Sequence, residues 1–234
     1  MDVRLVLVDL GNTLINPEPA VEYQYLRVAK QMFPNHQFPE PEIIRERFLE
    51  AFRKCGPYGE ELKYGTTFSE GYWYWKRVVG ATFLSLAPSE LEDLTKNLFD
   101  RFKRADSWRM RKGAHSFLEI TGSRSLKLAL VTNWDLRARE LIHNLGVEQW
   151  FDDLFISSEL GVEKPDPGIY QRVLESMDAT PSETVMIGDE IGDDMKPARE
   201  VGMNTILLSP DATNRDWSPE VHTWSEIRNQ IYSE

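Results

Sequence analysis

Residues Val3 to Leu14, VRLVLVDLGNTL, decide the fold: a short, β-branched apolar run passes straight into a carboxylate, Asp9, with Gly11 and Asn12 close behind. Such a run, closed by turn residues, reads as a buried strand. Asp9 then stands at the strand's exit, and the carboxyl ends of strands are where open α/β sheets bind ligands. The same design returns at Val185 to Asp194, VMIGDEIGDD, and a third run, Leu128 to Asn133, LALVTN, ends in a hydroxyl and an amide. Three strands therefore deliver polar groups to one crevice.

Outward from these runs, the chain beyond Met110 alternates strands and helices. The pattern predicts a strand over Ser125–Trp134, a helix over Leu136–Leu145 ended at Gly146, and a short strand over Leu154–Ser158. A helix over Pro167–Met177 with proline near its start follows, then a strand over Thr184–Ile187 and a helix over Asp194–Val201 ended by Gly202. Thr205–Leu208 is a further strand, Asp211–Pro219 a polar loop, and Trp224–Ile231 a final helix. Repeated βα units of this length make an α/β fold with a parallel, doubly wound sheet. Residues 18–105 differ: Ile43, Phe48, Leu49 and Phe52, and again Leu91, Leu94, Leu98 and Phe102, recur at helical spacing. That block reads as a helical insertion, so the sheet domain is discontinuous, comprising residues 1–17 and 106–234.

The chain has 234 residues, enough for one large domain or one domain with an insertion, and a net charge of −11. Acidity of that order argues against nucleic acid and anionic membranes as partners, which call for clustered Lys and Arg. It leaves a small anionic substrate open, because such a ligand answers to a few local cations or a helix amino terminus. One cysteine, Cys55, excludes a disulfide framework and reads as a small hydrophobe. No apolar run approaches ~18 residues, and Met1–Leu10 ends on a charge like a strand and not a leader, which together predict a cytoplasmic protein. Composition leaves monomer and homodimer equally open. His36, His115, His143 and His222 are scattered and read as structural or exposed.

Asp9, Thr132, Lys164 and Asp189 form a set suited to phosphoryl transfer. A carboxylate nucleophile attacking phosphorus meets an anion, so its surroundings need positive charge. Lys164, in the proline-bounded VEKPDP, is placed to supply it. Mg²⁺ held by Asp9 and Asp189 would add more, since this ion favours one or two carboxylates together with phosphate oxygens. Thr132 and Asn133, where a strand ends before a helix, offer hydroxyl and backbone N–H groups to phosphate oxygens, and Asn12 joins them as a candidate substrate-binding residue. Asp194 is expected to position the metal's waters or to orient Lys164, whereas Glu190 and Asp193 are expected to be solvated. The aromatic stretch Gly71–Arg77, GYWYWKR, cannot turn every ring the same way on a helix, so part of it must pack in the insertion's own core. Arg53, Lys54 and Lys76 are cations of the insertion that no pattern selects.

These residues resemble the haloacid dehalogenase superfamily. Asp9-Leu-Gly-Asn-Thr13 matches its first motif, Thr132-Asn133 its second, Lys164-Pro165 its third, and Gly188-Asp189 through Asp194 its fourth, in the family's order and spacing across the whole chain. The resemblance implies a Rossmann-like core, a helical cap inserted after the first motif, a Mg²⁺ cofactor, an aspartyl-phosphate intermediate, and a metal contact from the Gly11 carbonyl. The implied activity is hydrolysis of a small phosphorylated metabolite. One position departs: phosphatases of the family usually carry an acid–base Asp two residues after the nucleophile, where this chain has Gly11. The departure keeps two alternatives open, a 2-haloacid dehalogenase-like hydrolase and a catalytically impaired protein that binds a phosphorylated ligand.

Overall fold

The computed structural model describes residues 3–55, 62–123, 126–209 and 217–232. Ser125, expected to open a strand, and loop positions 211–216 lie outside them. Among the described residues the strands are β1 (Leu5–Val8), β2 (Ile15–Pro17), β3 (Trp108–Met110), β4 (Lys127–Thr132), β5 (Asp153–Ile156), β6 (Thr184–Gly188), β7 (Asn204–Leu208) and β8 (Glu220–Val221). Six of them form one sheet in the order β5-β4-β1-β6-β7-β8. Each neighbouring pair is parallel, which is the α/β architecture that the apolar runs predicted. β1, β4 and β6 read as unbroken hydrophobic runs because both sheet faces are covered and nearly every side chain on them is buried.

Register aligns the strand exits. Val8 of β1 lies opposite Leu130 of β4 on one side and Ile187 of β6 on the other. Asp9 is therefore one residue, and Thr132 and Asp189 two residues, past one common line. The chain fills the sheet outward from β1 in both directions, and the reversal of strand order beside β1 opens a crevice at the carboxyl ends.

Two compact units divide the chain: one of residues 1–16, 110–134 and 146–234, which holds the sheet, and one of residues 17–109 and 135–145, which is helical. The sheet unit's core joins Leu5, Leu7, Ala129, Val131, Met186 and Leu207 to Ile169, Tyr170 and Val173 of the helix Gly168–Ser176. Three local expectations for this unit change. The strand expected to reach Ser158 stops at Ile156, and Ser157–Leu160 is one helical turn. The Ser157 hydroxyl accepts from the Trp134 N–H at 3.1 Å and donates to the Trp134 carbonyl at 3.2 Å, which draws the chain off the ladder. The helix expected over Asp194–Val201 is a π-turn, Ile191–Met195, followed by Lys196–Glu200. Pro197 has no N–H to offer the Asp193 carbonyl, so the α pattern cannot run through. β8, two residues paired with β7, is too short for any periodic signal.

The helical unit contains Val21–Met32, Pro41–Lys54, Phe68–Thr82, Pro88–Arg101 and Arg137–Asn144. Proline opens two of these helices. Thr67 and Glu70 cap a third reciprocally, with Glu70 N–H donating to Thr67 Oγ1 at 3.2 Å and Thr67 N–H to Glu70 Oε2 at 2.9 Å. Tyr25, Ile44, Val79, Phe83, Leu94 and Leu98 form its core. Ile44 rather than Ile43 faces inward, and Leu49 faces out, because Ile44, Phe48 and Ala51 share one helical face. In the aromatic stretch, Tyr74 is buried, Trp75 stacks on Tyr64, and Trp73 stays half exposed beneath Lys76. Phe68, Ser69, Tyr72, Trp73, Lys76, Glu92 and Lys96 line an open groove of about 340 Å³.

The helix Arg137–Asn144, assigned from sequence to the sheet domain, is built into the helical unit. Arg137 makes a bidentate pair with Asp135 at 2.8 and 2.6 Å and donates to the Phe99 carbonyl at 2.9 Å. Trp75 Nε1 donates to the second Asp135 oxygen at 2.7 Å. Among the described residues, no helix is long and apolar enough to cross a membrane.

Candidate active site

Every residue of the proposed site lies in the sheet unit, at the end of β4, on the segments that follow β1, β4 and β6, or beyond β5. Asp9 is nearly buried, and its N–H donates to the Ile187 carbonyl at 2.9 Å, continuing the ladder one step past β1. Lys164 reaches it from the loop between β5 and β6. The Lys164 ammonium donates to Asp9 Oδ1 at 2.8 Å, to Asp194 Oδ1 at 2.6 Å and to the Val131 carbonyl at 3.2 Å. Burial disfavours its charge, but the carboxylates of Asp194 and Asp9 outweigh burial and hold its pKa well above the ordinary lysine value.

Asn133 holds that loop in place. Its side-chain amide donates to the Lys164 carbonyl at 2.7 Å, and its Oδ1 accepts from the Lys164 N–H at 2.8 Å. The residue expected on substrate therefore fixes the backbone of the lysine that meets Asp9. Thr132 is buried at the end of β4, one residue before it.

Asp189 follows β6, and Thr13 Oγ1 donates to Asp189 Oδ1 at 3.0 Å across the crevice from the first loop. Burial, with the charges of Asp9, Asp194 and Glu190, pushes its carboxyl up to about 8. Asp194 is buried on the π-turn; its Oδ2 accepts from the Glu190 N–H at 3.1 Å, and burial raises it to about 7 against the pull of Lys164. Asp9, Asp189 and Asp194 each present an oxygen within 4.8 Å of the others. One ammonium is shared by two of these three carboxylates, so the cluster holds more acidic groups than cations, and hard oxygen donors at this spacing suit a divalent cation.

Gly188 is what allows this approach, because a Cβ there would stand 2.3 Å from Asp194 Oδ2. Gly11 leaves a different space: a Cβ there would touch Trp134 Cζ3 at 3.6 Å, an ordinary contact. Asn12 is exposed with φ +56°, a left-handed position that Asn tolerates, and its N–H closes a turn to the Ile15 carbonyl at 2.9 Å. Its main role in the structure is that turn. Glu190 and Asp193 are exposed, as expected. Cys55 is half-buried against the cluster of Ala51, Tyr64 and Tyr74, and Arg53 and Lys54 bond within their own helix. His36 and His115 contact aromatic rings, His143 ends a helix, and the His222 ring lies 2.6 Å from the Ser209 carbonyl.

Thr13 closes the first motif, and the structure gives its hydroxyl a partner in Asp189. Two further contributors carried no site signal in the sequence. Tyr170, buried in the helix Gly168–Ser176, donates to the Asp194 carbonyl at 3.2 Å and steadies the π-turn. Trp134 read as the end of a strand.

A family model described as haloacid dehalogenase-like hydrolase matches residues 3–202. The haloacid dehalogenase-like hydrolase domain-containing protein 3 of Xenopus laevis is 29% identical over 227 residues, covering 95% of this chain and 91% of that protein. A HAD phosphatase from Thermococcus onnurineus superposes with a TM-score of 0.71 at 21% identity, covering 99% of each chain. A 2-haloacid dehalogenase from Pseudomonas syringae pv. Tomato DC3000 does so with a TM-score of 0.70 at 20% identity over 98% of each. At these identities both structures speak to the fold alone.

Proposed function

The chain belongs to the haloacid dehalogenase-like hydrolases, and on that premise we propose that it hydrolyses a small phosphomonoester, with Mg²⁺ as cofactor, through a phosphorylated Asp9. The observation that carries the proposal is the trio of carboxylates, Asp9, Asp189 and Asp194, two of which share one lysine. An Asp189 pushed up to about 8 beside the nucleophile makes sense where a cation completes the set. Asp9, Asp189 and the Gly11 carbonyl would hold Mg²⁺, which supplies charge neutralisation for an incoming phosphate.

Asp9 attacks phosphorus with a carboxylate oxygen. Lys164 donates to that carboxylate and opposes the negative charge of the transferring group. The Thr132 hydroxyl and the Asn133 N–H at the exit of β4 donate to the remaining phosphoryl oxygens, the Asn133 side chain fixes the Lys164 backbone, and Asp194 fixes the ammonium. Displacement of halide from carbon by Asp9 brings no anionic phosphoryl group and has no use for the half-buried carboxylate beside it, so Asp189 favours phosphorus over carbon. A single cysteine suits residence in the reducing cytoplasm.

Inorganic phosphate release from a panel of phosphomonoesters, with Mg²⁺ and with chelator, tests the reading against Asp9→Asn as the blank. Mg²⁺-dependent turnover that vanishes in Asp9→Asn is the expected result. Silence across the panel with Mg²⁺ binding intact would sink the phosphatase and favour a protein that only binds a phosphorylated ligand.

A further inference from the structure

β1 and β4 are neighbours in the sheet, so the loop Asp9–Asn12 and the loop Asn133–Trp134 leave it side by side. The Trp134 ring stands in contact range of the space a side chain at position 11 would fill, two residues from the nucleophile. Its backbone is clamped from both ends, its N–H donating to Ser157 Oγ at 3.1 Å and its carbonyl accepting from Ser157 Oγ at 3.2 Å and from the Ser158 N–H at 3.4 Å. The residue is half-buried.

The ammonium beside Asp9 is meanwhile engaged. Lys164 directs its ammonium to Asp9, Asp194 and the Val131 carbonyl. Asp194 accepts from Lys164 and from the Glu190 N–H, Asp189 accepts from Thr13, and Gly11 has no side chain. An aliphatic leaving oxygen needs a proton as it departs, whereas an oxygen conjugated to a ring or double bond spreads its charge without one.

We propose that Trp134 forms the wall of the leaving-group site and that the substrate is the phosphate ester of a planar, acidic hydroxyl, a phenol or an enol. The inference rests on the phosphatase reading and narrows it. A carboxylate oxygen of Asp9 bonds to phosphorus as the ester P–O bond breaks, and the electron pair leaves on the conjugated oxygen, whose plane lies against the indole. Water then attacks phosphorus and frees Asp9 as a carboxylate. One proton of that water stays on phosphate and the other passes through solvent to the departed oxygen.

The test is kcat/KM for phosphate release across aryl and alkyl phosphomonoesters of graded leaving-group pKa, for the natural protein, Trp134→Ala, Trp134→Phe and Gly11→Asp, with Asp9→Asn as blank. The natural protein should lose rate steeply as leaving-group pKa rises, a measurement that needs no variant to fold. Gly11→Asp, whose Cβ fits at 3.6 Å from the ring, should flatten that slope and speed alkyl esters by about 10²-fold. Trp134→Ala should lower the aryl-over-alkyl ratio by about tenfold, and Trp134→Phe should restore most of it. Equal rates for aryl and alkyl esters in the natural protein would overturn this inference and leave the phosphatase standing. An unchanged aryl-over-alkyl ratio in a folded Trp134→Ala would also overturn it. Absence of release from every ester would remove both.

Discussion

Lys164 gives its ammonium hydrogens to two buried carboxylates and one carbonyl, so removing it does more than delete a cation. Lys164→Met should lower kcat by at least ~10²-fold, the scale of losing one charge-stabilising donor. It should also cost about 3–5 kcal/mol of stability, because two buried carboxylates lose their partner; phosphate release and urea unfolding of the same preparation check both. Asp189 behaves in the opposite sense. In metal-free protein its ionisation is opposed by burial and by Asp9, so Asp189→Asn should raise Tm in chelator and abolish the rise in Tm that Mg²⁺ gives the natural chain. A Tm that falls in chelator would refute the view that surplus negative charge loads this cluster. Asp9, Lys164 and Asp189 could be read from the chain because each stands in a short context with its own physical logic, a strand exit or a proline-bounded loop. The Thr13–Asp189 bond and the role of Tyr170 could not: one joins partners 176 residues apart, and the other acts on a backbone carbonyl that no pattern of side chains foretells.

At the scale of elements, β6 and the π-turn after it form one device. Gly188 ends the strand without a side chain, and Asp194 folds back into the room this leaves. Gly188→Ala should therefore displace the Asp194 carboxylate from Lys164 and cut kcat by an order of magnitude or more with the overall fold retained, as circular dichroism and phosphate-release kinetics would show. Unchanged kinetics would mean that the turn yields and that its shape is incidental. The apolar runs disclosed every strand of four or more residues, since a strand covered on both faces must be apolar throughout. The π-turn escaped notice because its cause is a missing N–H at Pro197, which perturbs the backbone after the residue that matters.

Across the whole molecule, two units are assembled from a chain that passes between them more than once. Residues 135–145 join the helical unit through Arg137, whose partners Asp135 and Phe99 lie at opposite ends of its guanidinium and whose plane lies over the Phe99 ring. Arg137→Ala takes the guanidinium from the buried Asp135 and leaves it the residue-137 N–H and Trp75 as donors, so it should destabilise the protein by about 3–5 kcal/mol. Urea unfolding measures this, and a loss under about 1 kcal/mol would show that the helix Arg137–Asn144 is held by apolar packing instead.

The sequence by itself determined the α/β class, the parallel strands, the helical insertion and the placing of Asp9, Thr132, Lys164 and Asp189 at strand exits or in a rigid loop, because hydrophobic period, turn residues and chain order are local properties. Only the tertiary structure decided that Asn133 holds the Lys164 backbone, that Asp194 fills the space left at Gly188, that Trp134 stands against Gly11, and that the helix Arg137–Asn144 belongs with the helical unit. Each of those depends on register between strands or on partners distant in the chain, and the packing of a folded core sets such distances where residue order does not.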